Sequence, residues 1–116
     1  MKTLKQKQLE FLEETIKHFN LRNLGIKNSN CSYEAGCAIG RHIKDKNLCK
    51  RLDNLYNSSV DKYNVFGSLP KNLRFLTKSF LIAVQKLHDS APNWNAEGLS
   101  EKGKRRVHNI KLDFDL

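Results

Sequence analysis

The chain has 116 residues, 39% hydrophobic and 28% charged, and its 21 lysines and arginines against 12 acidic residues give a net charge of +9. That length suits one domain, residues 1–116, and is too short for two cores. There is no apolar run of about eighteen residues to span a membrane. Met1-Lys2-Thr3-Leu4-Lys5 also lacks the apolar block of a secretory leader, so a cytoplasmic location is expected.

Thr3 and Gln6 have the spacing of a capping box, and Leu9, Leu12, Ile16 and Phe19 then recur on one face. This pattern predicts a first helix from Leu4 to about Phe19, with Lys5, Gln8, Glu13 and Lys17 on its solvated face. His18 falls at its end, in solvent or favouring the helix dipole. Asn20 to Asn30 is rich in asparagine, with Gly25 and Ser29 interrupting Leu21, Leu24 and Ile26, which predicts a loop with a few buried anchors.

Cys31-Ser32-Tyr33-Glu34-Ala35-Gly36-Cys37-Ala38-Ile39-Gly40-Arg41 is the least ordinary stretch in composition. Cys31 to Tyr33 suits a short strand, Gly36 a tight turn, and Cys37 to Ile43 either a buried strand or the first turns of a helix. Asp45 is the expected cap of a helix whose Leu48, Leu52 and Leu55 form a seam, ending at Asn57-Ser58-Ser59. Val60 to Phe66 alternates weakly, as an edge strand or extended loop does.

Pro70 opens the longest apolar stripe, Leu73, Leu76, Phe80, Val84 and Leu87, and Thr77 is placed to divide it into a short and a long helix. Leu81 and Ile82 widen that face, so the helix is expected to be central and buried on most sides. His88-Asp89-Ser90-Ala91-Pro92-Asn93-Trp94 leaves it through a proline turn. Ser100 then caps a last helix running to about Ile110, with Leu99, Val107 and Ile110 inward, and Lys111 to Leu116 is left as a strand or a fraying end. The fold expected is mainly α, with α+β as the variant. It has about four to five helices in one compact domain and a place for a small β-hairpin near residues 31–43.

Three cysteines cannot all pair within one chain, and in a reducing cytosol they remain thiols. Cys31, Cys37 and His42 have zinc-binding chemistry, but a spacing of five residues between the thiols matches no common zinc knuckle. Buried thiols packing as small apolar groups are the simpler reading, and no metal or cofactor is implied. Cys37 with His88 and Asp89 has the elements of a nucleophile and its base. His42, His88-Asp89 and Asp113 follow the letter order of a metal-dependent phosphohydrolase. A histidine beside an aspartate at a helix end is more often a structural pair. Gly36, Gly40 and Arg41 suggest an anion-binding loop, although no lysine and hydroxyl complete a phosphate fingerprint.

Two basic clusters remain: Arg41, Lys44, Lys46, Lys50 and Arg51, and Lys102, Lys104, Arg105 and Arg106. Together they suit several phosphates, whereas the plainer reading is two solvated helix faces. A second candidate surface is a structural or ligand pocket of Cys31, Tyr33, Gly36, Cys37, Gly40, His88, Asp89 and Trp94, with Arg41 at its edge.

Cys31-x-Tyr33, Gly36-Cys37-Ala38-Ile39-Gly40-Arg41, Leu87-His88-Asp89, Trp94 and Gly98-Leu99-Ser100 together resemble a family of small uncharacterised bacteriophage and prophage proteins, over residues 31–110. The resemblance implies a phage or mobile-element setting in the cytoplasm of a bacterial host, and no activity. By analogy with phage accessory proteins of this size, the expected function is non-enzymatic. The protein would bind nucleic acid or a host-defence nuclease or nucleoprotein, as an anti-CRISPR inhibitor does. The alternatives are a nucleotide, anion or metal-dependent phosphohydrolase pocket and a structural, dimerising protein; the sequence assigns no oligomeric state.

Overall fold

A computed structural model describes residues 1–24, 26–27, 30–31, 33, 36–54, 60 and 65–116, the side chains of residues 26, 27, 30 and 31 excepted. Its radius of gyration of 13.4 Å is that of one compact domain of this length. The fold is mainly helical, with two small antiparallel hairpins among the described residues.

Helix α1 spans Leu4–His18 and opens with the predicted capping box: Thr3 accepts from the Gln6 amide, and the Gln6 side chain accepts from the Thr3 amide. Leu12 and Phe19 are buried as the periodicity requires. Gln8 departs from the predicted solvated face, because its Nε2 donates to the Leu76 carbonyl at 2.8 Å and the side chain is buried. A residue at the boundary of an apolar stripe can go inside once a carbonyl is there to receive it.

Strands β1 (Ile26–Lys27) and β2 (Asn30–Cys31) pair with Ile26 opposite Cys31. The expected small hairpin is present, its second strand ending at Cys31 where the predicted stretch begins. Cys37 to Ile43 instead makes a tight turn ending in a 3-10 segment, Gly40–His42. The reason is steric: a Cβ on Gly40 would collide with the Tyr33 backbone, so only glycine lets the two chain segments cross there.

Helix α2 (Lys46–Asn54) starts where Asp45 Oδ1 accepts from the Asn47 and Leu48 amides, and it buries Cys49 and Leu52. Leu55 and Asn57-Ser58-Ser59, the predicted seam end and helix stop, lie outside the described residues, as do Gly25, Ser29 and Ser32. Residues 61–64 of the predicted strand are also outside, but Val65–Ser68 is a helical turn, α3, rather than extended chain.

Pro70 begins the short α4 (Lys71–Arg74), and Thr77 begins the long α5 (Lys78–Asp89), with its hydroxyl accepting from the Phe80 amide. Leu73, Leu76, Phe80, Val84 and Leu87 are all buried, so the predicted stripe and its division are both present. Gln85 lies buried in this apolar helix. Its Oε1 accepts from the Val60 amide at 2.8 Å and its Nε2 donates to the Tyr33 hydroxyl at 3.3 Å.

After a 3-10 turn at Ala91–Asn93, strands β3 (Trp94–Asn95) and β4 (Gly98–Leu99) form the second hairpin, which the sequence pattern did not disclose. The Leu21 amide donates to the Asn95 carbonyl at 2.8 Å, joining this hairpin to the end of α1. Ser100 Oγ accepts from the Gly103 amide and opens α6, Glu101–Asp113. Lys111 to Asp113 continue that helix, where a strand or a frayed end was expected. Phe114 then packs edge-on against Phe80 with ring centroids 5.4 Å apart.

Candidate nucleic-acid interface

Helix α6 docks through Gly103, Val107 and Ile110, which are buried. A Cβ at position 103 would enter the Asn93 carbonyl oxygen, so the helix can approach the Ala91–Asn93 turn closely only through glycine. With that side pinned down, Lys102, Lys104, Arg105 and Arg106 all lie exposed, as does His108. Lys104 pairs with Glu101 at 3.2 Å, whereas Lys102, Arg105 and Arg106 enter no ion pair among the described residues.

The other basic cluster is divided. Lys44, Lys46, Lys50 and Arg51 are exposed. Arg41, expected in this basic cluster, is instead mostly covered and engaged within the fold. Its Nη1 donates to both carboxylate oxygens of Glu14 and, at 3.0 Å, to His42 Nε2; its Nη2 reaches His18 Nδ1 at 3.2 Å. Guanidinium nitrogens only donate, so both imidazole nitrogens facing Arg41 must accept. Burial lowers the His42 pKa first, the Arg41 charge lowers it further, and Glu14 opposes both.

In the Gly36 to Arg41 loop the amides of both glycines and of Arg41 already have acceptors. Gly36 N–H donates to Tyr33 O, Gly40 N–H to Cys37 Sγ, Arg41 N–H to Cys37 O, and His42 N–H to Ile39 O. Cys37 is disulfide-bonded, and Cys49 is a buried thiol. The expectation of thiols throughout is corrected at Cys37.

The proposed pocket residues lie largely in packed core. Tyr33, Cys37, His88 and Trp94 are buried. His88 presents Nδ1 to Asp89 Oδ1 at 2.7 Å and Nε2 to the Leu24 carbonyl at 2.5 Å. Both ring nitrogens therefore face oxygen acceptors, which makes His88 a structural clamp and leaves no nitrogen for a substrate. Trp94 Nε1 and Asn93 Nδ2 both donate to the Leu87 carbonyl at 3.0 Å. Phe19, expected only as an apolar position on the first helix, ties these parts together. Its ring meets His88 at 4.5 Å and Trp94 at 6.1 Å, and the Arg41 guanidinium lies 5.7 Å from its centroid.

Sequence periodicity missed one open feature, a groove of about 320 Å³ between α5 and α6 lined by Ala83, Lys86, Leu87, Arg106, Asn109, Ile110 and Asp113. Only helix pairing creates it. Among the described residues, no group of three or more His, Cys, Asp or Glu side chains is placed to hold a metal, and no helix is long and apolar enough to cross a membrane. No family model, curated protein or solved structure matches the chain.

Proposed function

We propose that the protein is a non-enzymatic binding protein whose α6 face contacts the phosphates of a nucleic acid, free or within a host-defence nucleoprotein. The observation that carries this is the exposed set Lys102, Arg105 and Arg106, which pair with no described carboxylate and stand on a helix whose opposite side is locked down. Exposed cations on a rigid helix attract polyanions without having to break an existing ion pair. Lys46, Lys50 and Arg51 on α2 add a second exposed basic surface. The burial of His88 and its two oxygen partners favour binding over catalysis.

The resemblance to phage proteins motivates a role in disabling a host nuclease or nucleoprotein, with anti-CRISPR inhibition as one form. A host cytoplasm follows from that setting. The disulfide at Cys37 pulls the other way, since such bonds persist chiefly in oxidising compartments. Counting thiols in protein isolated from cells without reductant decides between them.

Binding to labelled single-stranded RNA and DNA, titrated with salt, tests the interface. Affinity should fall steeply with salt. Replacing Lys102, Arg105 and Arg106 with glutamine should flatten the slope by about 0.7 for each phosphate that the variant no longer neutralises. Undetectable binding at low salt, or a slope the variant leaves unchanged, would reject the reading.

A further inference from the structure

The α5–α6 groove joins three kinds of chemistry in a space of about 320 Å³. Its floor is aliphatic, from Ala83, Leu87 and Ile110; cations stand at Lys86 and Arg106; and Asn109 and Asp113 add an amide and a carboxylate. Lys86, Arg106, Asn109 and Asp113 are exposed, and none of the charged three enters an ion pair among the described residues. Their hydrogen-bonding groups are open to a ligand.

We propose that this groove seats one unstacked guanine of a single-stranded nucleic acid, an inference that rests on the phosphate-binding reading of α6. Asn109 and Asp113 are four residues apart on α6 and so share one face, with Cβ atoms about 5–6 Å apart. An ionised carboxylate only accepts, and an amide NH2 donates. Guanine presents an acceptor, O6, followed by two donors, N1–H and the N2 amino group. The Asn109 amide matches O6, and the Asp113 carboxylate matches the adjacent pair of N–H groups.

The other bases fit worse. Adenine and cytosine turn a ring-nitrogen acceptor toward the carboxylate, and uracil has a single N–H between two carbonyls. The charge order also fixes polarity. Asp113 repels phosphate, so the base edge lies at that end while Lys86 and Arg106 take the flanking phosphates. The volume is at the low end of the range of about 300–1,000 Å³ for ligand pockets, which suits one base.

The test compares ten-nucleotide oligouridine and oligothymidine with the same strands carrying one central guanine or one central adenine. The guanine strand should bind about tenfold tighter than the other two, the discrimination of one good bidentate contact. Asp113→Asn should abolish that preference without weakening the binding of plain oligouridine, and Ala83→Leu, which fills the floor, should abolish it too. Circular-dichroism melting shows whether each variant is folded. Salt-dependent binding without guanine preference, or a preference that folded Asp113→Asn retains, overturns the groove assignment and leaves the basic face standing. Failure of every oligonucleotide to bind at low salt overturns both. Whether the ribose or deoxyribose strand shows the larger preference identifies the source of the base.

Discussion

Arg41, in the turn after Cys37, donates through one nitrogen to both carboxylate oxygens of Glu14 on α1. This contact fastens the Gly40–His42 segment to the first helix across 27 residues of sequence. The Arg41 side chain is 21% exposed and that of Glu14 43%, so the pair is screened at its carboxylate end but less than a fully exposed salt bridge.

Arg41→Ala should therefore cost about 2 kcal/mol of stability, the range for hydrogen bonds to charged groups. Arg41→Lys should recover less than half of that, because an ammonium cannot hold Glu14, His18 and His42 in one plane. Urea denaturation of the three proteins checks it; equal midpoints for wild type and Arg41→Ala would show the contact to be idle.

The same cluster predicts a dependence on pH. His42 is half-buried, with the Arg41 and Glu14 charges and the His18 ring beside it, and burial acting with Arg41 depresses its folded-state pKa below 6.5. The unfolded chain then takes up the proton first. Stability from the neutral ring is complete above about pH 6.5 and is lost as pH falls toward the lower folded-state value. Melting temperature should drop over that interval, and His42→Phe, which keeps a ring against Phe11, should flatten the drop. A profile identical in the variant would assign the acid sensitivity to other groups.

Two glycines in the opening turn should respond differently to alanine. At Gly40 the added methyl meets Tyr33 backbone, which cannot yield as a flexible side chain would, and a loss of about 3 kcal/mol or failure to fold is expected. Gly36 has a φ of +86° with open space around its Cβ position. Its alanine variant should lose about 1 kcal/mol from backbone strain alone. Thermal melts of the pair separate the two causes, and equal losses would contradict this account.

Helix positions were legible where local chemistry sets them. Thr3, Thr77 and Ser100 each carry a hydroxyl that caps the helix expected of it, and the Leu73 to Leu87 stripe is buried as its spacing requires. What escaped depends on partners distant in sequence. Gln8 is drawn inside by the Leu76 carbonyl, and Arg41 is turned by Glu14. The β3–β4 hairpin is two residues per strand, too short for alternation to register. Within the candidate site, the exposure of Lys102, Lys104, Arg105 and Arg106 followed from helical period. The groove beside them is made by two helices meeting, which no window along one segment contains.

Trp94 is the only tryptophan in the chain, and it is 3% exposed, hydrogen-bonded to Leu87 and edge-on to Phe19. Its emission therefore reports the junction of α1, α5 and the β3–β4 hairpin without any label. Unfolding exposes the indole to water and shifts that emission to the red. Each stability comparison can thus be followed with an intrinsic optical probe at one known place in the core.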